Sequence, residues 1–325
     1  MFRLLKIALS VIGVSIAMVA GLAFWGLRQS LPPRPVLTGL IERGTLAHGG
    51  RTRSWNAYVP AQRAPSPALV IVLHSSMGSA QQAREMFGYD FDLLADQHGF
   101  VVAYPNGYDG HWNEAKVKGP FAAKRENIDD VGFLQALVHD LVSRYSVDGS
   151  RVYVTGVSNG GSMAIRLALE TPTLARAYAA VVASVPAPGN LAVTATNRPV
   201  SILFMNGTQD PMNPWDGGDV VLRGVWGNRG PVLSTLASVD YFRILAGIDS
   251  QPRVKEFPDR DSSDGTTVER SDWTVAGKPR IVLYRINGGG HDVPHRETYG
   301  RRLLGRSNRD IHAANEIWDF FSSAP

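Results

Sequence analysis

The chain has 325 residues and a formal net charge of +4, with 44% hydrophobic and 19% charged residues. These proportions are typical of a globular protein with a sizeable core, and its basic residues are not clustered as they are in most nucleic-acid-binding proteins, so no nucleic-acid partner is expected. The absence of cysteine excludes disulfides, thiolate metal sites, a cysteine nucleophile and lipid attachment through an N-terminal cysteine.

The first 27 residues contain an apolar segment. Arg3 and Lys6 precede an uncharged run over residues 7–27, which is long enough to cross the hydrocarbon core as a helix. We favour an uncleaved signal anchor in the inner membrane, because the run exceeds a signal-peptide core and "GLA" at 21–23 is a poor cleavage site; a cleaved signal peptide is the alternative. Both interpretations predict export, either to the periplasmic face of the membrane or as a secreted protein. Residues 28–36 are then predicted to be a linker.

From residue 37 onward, strand-like and helix-like segments alternate. Residues 37–60 predict a hairpin with a Gly-Gly turn, and two continuous apolar runs, 68–74 and 99–105, are typical of strands buried on both faces. Helical spacing of apolar residues follows the first run and recurs at 129–145. Later segments predict a strand at 151–155, a helix at 162–169 and strands in "AAVVASV", "VSILFMNG" and "RIVLYRING". The alternation predicts an α/β fold over residues 37–325, with a mainly parallel central sheet and helices on both faces.

The segment "GVSNGG" at residues 156–161 lies between a predicted strand and a predicted helix. A sharp strand-to-helix turn needs glycines beside its serine, because larger side chains would contact the neighbouring strand and helix. Such a turn lifts the hydroxyl of Ser158 above the carboxyl edge of the sheet, and the helix start directs backbone N–H groups towards a developing negative charge. Ser158 is therefore predicted to be a nucleophile, with a purely structural turn as the alternative.

A serine hydroxyl is a weak nucleophile that needs a base and an acid to orient the base. Asp210 lies directly after a predicted strand, and His291 lies in a glycine-rich loop after a later strand. Serine, acid and histidine follow one another in this order in α/β-hydrolases. We therefore predict a triad of Ser158, His291 and Asp210, with Asp216 as the alternative acid and His295 as the alternative base.

The predicted oxyanion hole needs two backbone N–H groups. One belongs to Asn159, directly after the nucleophile, and the other to Ser76 in the loop "VLHSSMGSA". Trp112, Asn113 and Trp215 are predicted to line the substrate pocket, with ordinary packing as the alternative. Trp215 begins a glycine-rich insertion that is interpreted either as a partial lid or as a packed loop. No segment has metal-ligand spacing, and no metal or other cofactor is expected.

Several segments together resemble the polyhydroxybutyrate depolymerase and feruloyl or acetylxylan esterase group, which includes the family-one carbohydrate esterases. They include "AYPNG", "HWN", "VTGVSNGGSMA", "NGTQDPMNP", "YRINGGGH" and "RDIHAANEIWDFF", and the resemblance covers roughly residues 40 to 325. It implies an exported α/β-hydrolase that cleaves a small ester or an ester-bearing polymer through an acyl-enzyme. By the same resemblance, Ser158 is the nucleophile, Asp210 the acid and His291 the base.

The chain departs from that group at two places in the predicted site. His74-Ser75-Ser76-Met77-Gly78 stands where the group has His-Gly-x-Gly, and Val293 stands where a tryptophan usually follows the histidine. Three other functions share the predicted fold: acyl transfer, peptide cleavage, and binding by a membrane-anchored protein without catalysis. An ester hydrolase is favoured over a binding protein because all three residues of the predicted triad are present.

Overall fold

The computed structural model describes residue 26, residues 29–222, residue 224 and residues 227–325. The predicted signal anchor or signal peptide therefore lies almost entirely outside the described residues. Within the described part of the chain, no helix is long and apolar enough to cross a membrane. Residues 29–36 contain no helix or strand, and this segment touches the body where the backbone N–H of Ser30 donates to the carbonyl of Tyr299 over 3.0 Å.

Ten of the twelve strands in the described residues form one sheet, whose order is β1-β2-β4-β3-β5-β6-β7-β12-β11-β10. The strands are β1 (Leu40–His48), β2 (Arg51–Val59), β3 (Leu69–Leu73), β4 (Val101–Pro105), β5 (Val152–Val157), β6 (Ala177–Val181), β7 (Ser201–Gly207), β8 (Gly218–Asp219), β9 (Pro231–Val232), β10 (Arg253–Glu256), β11 (Thr267–Trp273) and β12 (Ile281–Asn287). The six central strands are parallel to one another, and in sheet order they are β4, β3, β5, β6, β7 and β12. The outer strands β1, β2, β10 and β11 pair antiparallel, so the prediction of a mainly parallel sheet is confirmed.

Helices cover both faces of this sheet. Those in the described residues are α1 (Ala80–Met86), α2 (Asp90–His98), α3 (Ala122–Arg125), α4 (Asp130–Tyr145), α5 (Asn159–Glu170), α6 (Thr235–Leu245) and α7 (Ala313–Ser322). Phe133 of α4, Met163 of α5 and Phe242 of α6 belong to one hydrophobic core. Phe91 of α2 and Trp318 of α7 belong to a second core, and the sheet lies between the two.

The position of strand β3 between the two cores explains why its sequence is apolar throughout. Leu69, Ile71 and Leu73 contribute to one core, and Val70 and Val72 contribute to the other. Successive side chains of a strand point to opposite faces of the sheet, so a strand covered on both faces needs an apolar residue at each position. The continuous apolar run therefore predicted this burial correctly.

The predicted N-terminal hairpin is confirmed. Strands β1 and β2 pair antiparallel up to His48 opposite Arg51, and the connecting residues Gly49 and Gly50 have φ angles of 56° and 72°. A two-residue turn with positive φ at both positions matches the right-handed twist of its strands, and glycine adopts it without steric strain.

The helical pattern that follows β3 forms two helices rather than one. Helix α1 ends at Met86 and α2 begins at Asp90. Gly88 and Tyr89, which lie between them, have φ angles of 65° and 64°. An α-helix requires negative φ at every position, so it ends where the backbone enters this left-handed conformation.

Candidate active site

Ser158 lies in a tight turn between β5 and α5. Its φ of 56° and ψ of −111° lie outside the regions that side chains normally adopt, and a backbone of this kind costs about 1–3 kcal/mol. Hydrogen bonds fix the turn, because the N–H of Ser158 donates to the carbonyl of Val181 over 2.9 Å and its carbonyl accepts from Ser162 over 2.8 Å. The surrounding structure therefore holds this one serine in a strained conformation.

Two glycines beside the serine let the helix approach the sheet. A Cβ atom on Gly156 would lie 2.4 Å from the carbonyl carbon of Gly160, and one on Gly160 would lie 2.4 Å from the carbonyl oxygen of Leu73. Both contacts are with backbone, so no side-chain rotation could relieve them. The predicted need for glycine in this turn is thus explained by the close approach of α5 to β5 and β3.

Three predicted side chains meet at the carboxyl edge of the parallel strands. Nε2 of His291 lies 2.9 Å from Oγ of Ser158, and Nδ1 of His291 lies 2.7 Å from Oδ2 of Asp210. The serine follows β5, the aspartate follows β7 and the histidine follows β12. This chain of hydrogen bonds can move the serine proton to the imidazole ring while the carboxylate holds that ring in place.

The carboxylate of Asp210 is held by the backbone that follows it. Its Oδ1 atom accepts hydrogen bonds from the N–H groups of Met212, over 2.7 Å, and Asn213, over 2.8 Å. Its side chain is fully buried. Because Oδ1 is occupied in this way, Oδ2 is directed at the histidine ring.

The alternative acid and base lie away from this chain of hydrogen bonds. Asp216 is exposed on the insertion after Asp210. His295 lies beside Asp90 and His312, and one potential metal-ligand atom from each residue lies within 4.8 Å of the others. However, Nδ1 of His295 accepts the N–H of Glu297 over 3.2 Å, so Nε2 carries the proton and has no lone pair for a metal ion.

The two residues of the predicted oxyanion hole meet beside the serine. Ser76 and Asn159 both line a cavity of about 10 Å³ at Ser158, which is room for about one water molecule. The side chain of Asn159 is paired with the backbone of Trp112, accepting its N–H over 2.7 Å and donating to its carbonyl over 3.2 Å. This pair fixes the first residue of α5 against the neighbouring loop.

His74 shapes the loop that carries Ser76. Its Nδ1 donates to the carbonyl of Ser75 over 2.8 Å, and its Nε2 accepts the N–H of Gly107 over 2.8 Å. The second bond requires a lone pair on Nε2, so the ring is neutral with its proton on Nδ1. Burial lowers the pKa of His74 to about 4, so the loop keeps this arrangement at neutral pH.

Acidification should therefore weaken the fold through His74. The pKa of this histidine falls from 6.5 in the unfolded chain to about 4 in the folded protein, so the unfolded state takes up the proton first. The stability that this site contributes is complete above pH 6.5 and is lost as the pH falls towards 4, a loss of about 3 kcal/mol. Urea unfolding of the wild type and His74→Asn at pH 7 and pH 4.5 measures this, and the stability gap between them should shrink at the lower pH. A gap that stayed constant would contradict the assignment.

Two residues that were predicted to line the substrate pocket are buried beneath the site. The prediction of a pocket-lining role is therefore corrected for both. Trp112 is fully buried, and its indole N–H donates to the carbonyl of His74 over 3.0 Å. Asn113 is 5% exposed, and its amide donates to the carbonyl of Ile128 over 3.0 Å. Both residues therefore support the site from below. Trp215 packs at the edge of one core with the guanidinium of Arg285 5.4 Å from its ring.

The sequence did not identify the charged residues that line the small cavity. Nζ of Lys116 donates to Oγ of Ser162 over 2.7 Å and to Oε2 of Glu114 over 3.2 Å, and all three side chains are buried. Arg229 lines the same cavity. Glu114 and Lys116 follow the segment "HWN", but charge alone does not distinguish a buried position from an exposed one.

A larger groove of about 390 Å³ opens onto Ser158 and His291. Its wall includes Met77, Met86, Met212, Leu222, Val293, Leu304 and the segment Gln29, Ser30 and Leu31. Val293 lines the groove at the position where the resembling group has a tryptophan. A volume of this size is typical of a site for a small molecule.

The fold and this site together define a class of protein. A serine on a strained strand-to-helix turn, followed in the chain by an acid and a histidine at the carboxyl edge of a mainly parallel sheet, is the arrangement of the α/β-hydrolase fold. Residues 53–198 match the family described as esterase PHB depolymerase. The chain is also 30% identical over 300 residues to a protein of Nocardia uniformis named "Putative esterase NocK", covering 88% of this chain and 84% of that one. The chain belongs to the esterase PHB depolymerase family, whose members are carboxylic ester hydrolases.

A further relative and a solved structure are also similar to the chain. The chain is 26% identical over 278 residues to an acetylxylan esterase of Coprinopsis cinerea, covering 82% of this chain and 73% of the relative. The solved structure of an acetyl xylan esterase from Aspergillus awamori superposes with a TM-score of 0.56, over 87% of this chain and 99% of that one. At 16% sequence identity this second similarity supports the fold alone.

Proposed function

We propose that this protein is an exported serine esterase that hydrolyses carboxylic esters through Ser158, His291 and Asp210. The observation that carries the proposal is the continuous hydrogen-bonded chain from Asp210 through His291 to a serine held at a strained strand-to-helix turn. A structural turn needs no such strain, and a buried histidine has no structural need to face a serine hydroxyl.

The geometry supports a two-step reaction. Oγ of Ser158 attacks the ester carbonyl carbon while its proton passes to Nε2 of His291, and the carbonyl oxygen becomes an oxyanion facing the N–H groups of Asn159 and Ser76. When the intermediate collapses, the carbon–oxygen bond to the alcohol breaks and His291 returns the proton to the departing alcohol. Water then attacks the acyl-enzyme with His291 as the base, which releases the acid and restores the serine.

We propose export because the uncharged run at residues 7–27 follows Arg3 and Lys6. An uncleaved anchor would leave the body at the periplasmic face of the inner membrane, and cleavage would release it. Intact-mass analysis of the expressed protein distinguishes the two, because a mature chain beginning near Phe24 would mean a cleaved signal peptide. A body protected from protease added to spheroplasts would contradict export.

A fluorophosphonate probe tests the proposed chemistry against the alternative of a binding protein. We expect one phosphonyl group to attach to Ser158, because only a serine paired with a base attacks this probe at a useful rate. Tryptic mass spectrometry locates the adduct, and release of p-nitrophenol from p-nitrophenyl acetate should stop in step with labelling. An unlabelled protein, or a label on another serine, would contradict the proposal.

A further inference from the structure

Arg229 reaches the catalytic serine from the insertion that follows Asp210. It lines both the small cavity and the large groove at Ser158 and His291. Its backbone is held on both sides, since its N–H donates to the carbonyl of Val220 over 2.9 Å and its carbonyl accepts from the side chain of Asn190 over 2.9 Å. The side chain therefore extends into the site from a fixed point.

The guanidinium of Arg229 has few favourable polar contacts with the rest of the protein. None of the ion pairs formed within the described residues includes it. Its Nη1 contacts Sδ of Met212 at 3.5 Å, its Cζ lies 5.1 Å from the ring centre of Phe121, and its Nε is buried without a hydrogen-bond partner. A thioether and an aromatic face are weak partners for a cation with five N–H donors, so donors remain for a bound molecule.

The wall of the small cavity beside this guanidinium has more positive than negative charge. Glu114 accepts from Nζ of Lys116 over 3.2 Å, and its backbone carbonyl accepts from Nζ of Lys124 over 3.0 Å. Arg229 is also attracted to Glu114, but more weakly than burial disfavours its charge, so its pKa is lowered. Lys116 and Arg229 thus line the small cavity with Glu114 as its one lining carboxylate, and Lys124 is attracted to the same carboxylate. An anionic group of the substrate placed beside Arg229 would offset this imbalance at a site where little water is present to do so.

The triad has no use for a cation at this position, because serine, histidine and the two N–H donors complete the chemistry of ester hydrolysis. The charge therefore relates to which ester binds. We propose that the substrate carries a carboxylate close to its scissile ester bond and that Arg229 binds this carboxylate. The inference rests on the proposed function and narrows it to monoesters of dicarboxylic acids and to esters of hydroxycarboxylic acids with a free carboxyl group.

The chemistry of the two groups supports this pairing. A guanidinium presents parallel N–H donors that match the two oxygens of a carboxylate, whereas a neutral sugar or phenol offers only single acceptors. The large groove of about 390 Å³ has room for such a small acid and its alcohol together. Arg229 lines this groove as well as the small cavity. It can therefore contact a carboxylate on either the acyl part or the alcohol part of an ester bound in the groove.

Two matched pairs of substrates test the effect of a carboxylate on the rate of hydrolysis, because the members of each pair differ in that group alone. In the first pair, p-acetoxybenzoate and p-acetoxybenzamide differ by a carboxylate in the alcohol part of the ester. In the second, the p-nitrophenyl monoester of adipic acid and its terminal amide differ in the acyl part. We expect kcat/KM to be higher for the carboxylate by on the order of ten- to a hundredfold in at least one pair, the range of a charge-assisted hydrogen bond.

Variants of Arg229 assign the preference to this residue. Arg229→Gln should lower the ratio of kcat/KM for the favoured carboxylate to kcat/KM for its amide partner by that same factor. Arg229→Lys should keep part of the preference because it keeps the charge. Arg253→Gln is the matched control, since it removes an exposed cation on the outer strand β10 and should leave the preference intact.

Each outcome decides between the two proposals. Equal rates within both pairs, or a preference that survives in a folded Arg229→Gln protein, would overturn the carboxylate site and leave the serine esterase standing. If none of the four esters is hydrolysed, both the carboxylate site and the serine esterase are overturned. Circular dichroism reports whether Arg229→Gln folds, and if it does not, the wild-type comparison within the pairs and the Arg229→Lys variant decide.

Discussion

Ser158→Ala is expected to lower the turnover of p-nitrophenyl acetate by about a millionfold, because the acyl-enzyme can no longer form. The residual rate would come from the oxyanion donors, which still stabilise attack by water. The fold should survive, since the hydrogen bonds that hold the turn come from the backbone N–H and carbonyl of residue 158. Turnover numbers and circular dichroism on the same preparations measure both effects.

Ser150→Ala is the matched control for this change. Ser150 precedes β5, so it lies at the amino end of the strand whose carboxyl end leads to Ser158, and its hydroxyl donates to Asp148 in an exposed turn. Its removal should leave turnover within about twofold of the wild type, as for most surface substitutions. If Ser158→Ala kept a tenth of the wild-type turnover, Ser158 would not be the nucleophile.

The central strands could be predicted from the sequence because each is covered by helices on both faces. Such strands are apolar throughout, and β3 contributes to both cores. Strand β10 carries no such signal, because all four of its side chains, Arg253–Glu256, are exposed at the edge of the sheet. Its position is set by pairing with β11, which is a long-range contact that hydrophobic periodicity does not report.

The predicted triad residues share a simple positional signal. Each follows a strand, and the carboxyl ends of parallel strands meet at one edge, so residues far apart in the chain are brought together there. The structure places Ser158, His291 and Asp210 within hydrogen-bonding distance at that edge. Their chain order and their strand-end positions predicted that these three side chains meet, without any contact information.

The remaining site residues had no comparable signal. Trp112 and Asn113 also follow a strand, but whether a loop side chain points into a pocket or beneath it depends on hydrogen bonds such as that between the N–H of Trp112 and Asn159. Arg229 comes from an irregular insertion whose path has no periodic pattern. Its place beside Ser158 follows from pairing with Val220, a contact that only the folded chain shows.

Asp210→Asn should lower turnover by about ten-thousandfold, the loss seen when the orienting acid of a serine triad is made neutral. In this protein the reason can be traced atom by atom. Oδ1 of Asp210 accepts two backbone N–H groups, so the amide oxygen of the asparagine should take that place and its NH2 group should face Nδ1 of His291. Nδ1 must then accept a hydrogen bond, which puts the ring proton on Nε2, and that nitrogen can no longer take the proton of Ser158.

Asp216→Asn is the matched control for this substitution, because it makes the same chemical change at an exposed carboxylate on the insertion that follows. Its turnover should stay within about twofold of the wild type. Stopped-flow and steady-state turnover of p-nitrophenyl acetate at pH 7.5 compare the two variants, with circular dichroism to show that both are folded. If Asp216→Asn were the damaging change and Asp210→Asn the silent one, Asp210 would not be the orienting acid. The asymmetry is expected because Oδ2 of Asp210 lies 2.7 Å from the histidine ring and its side chain is fully buried.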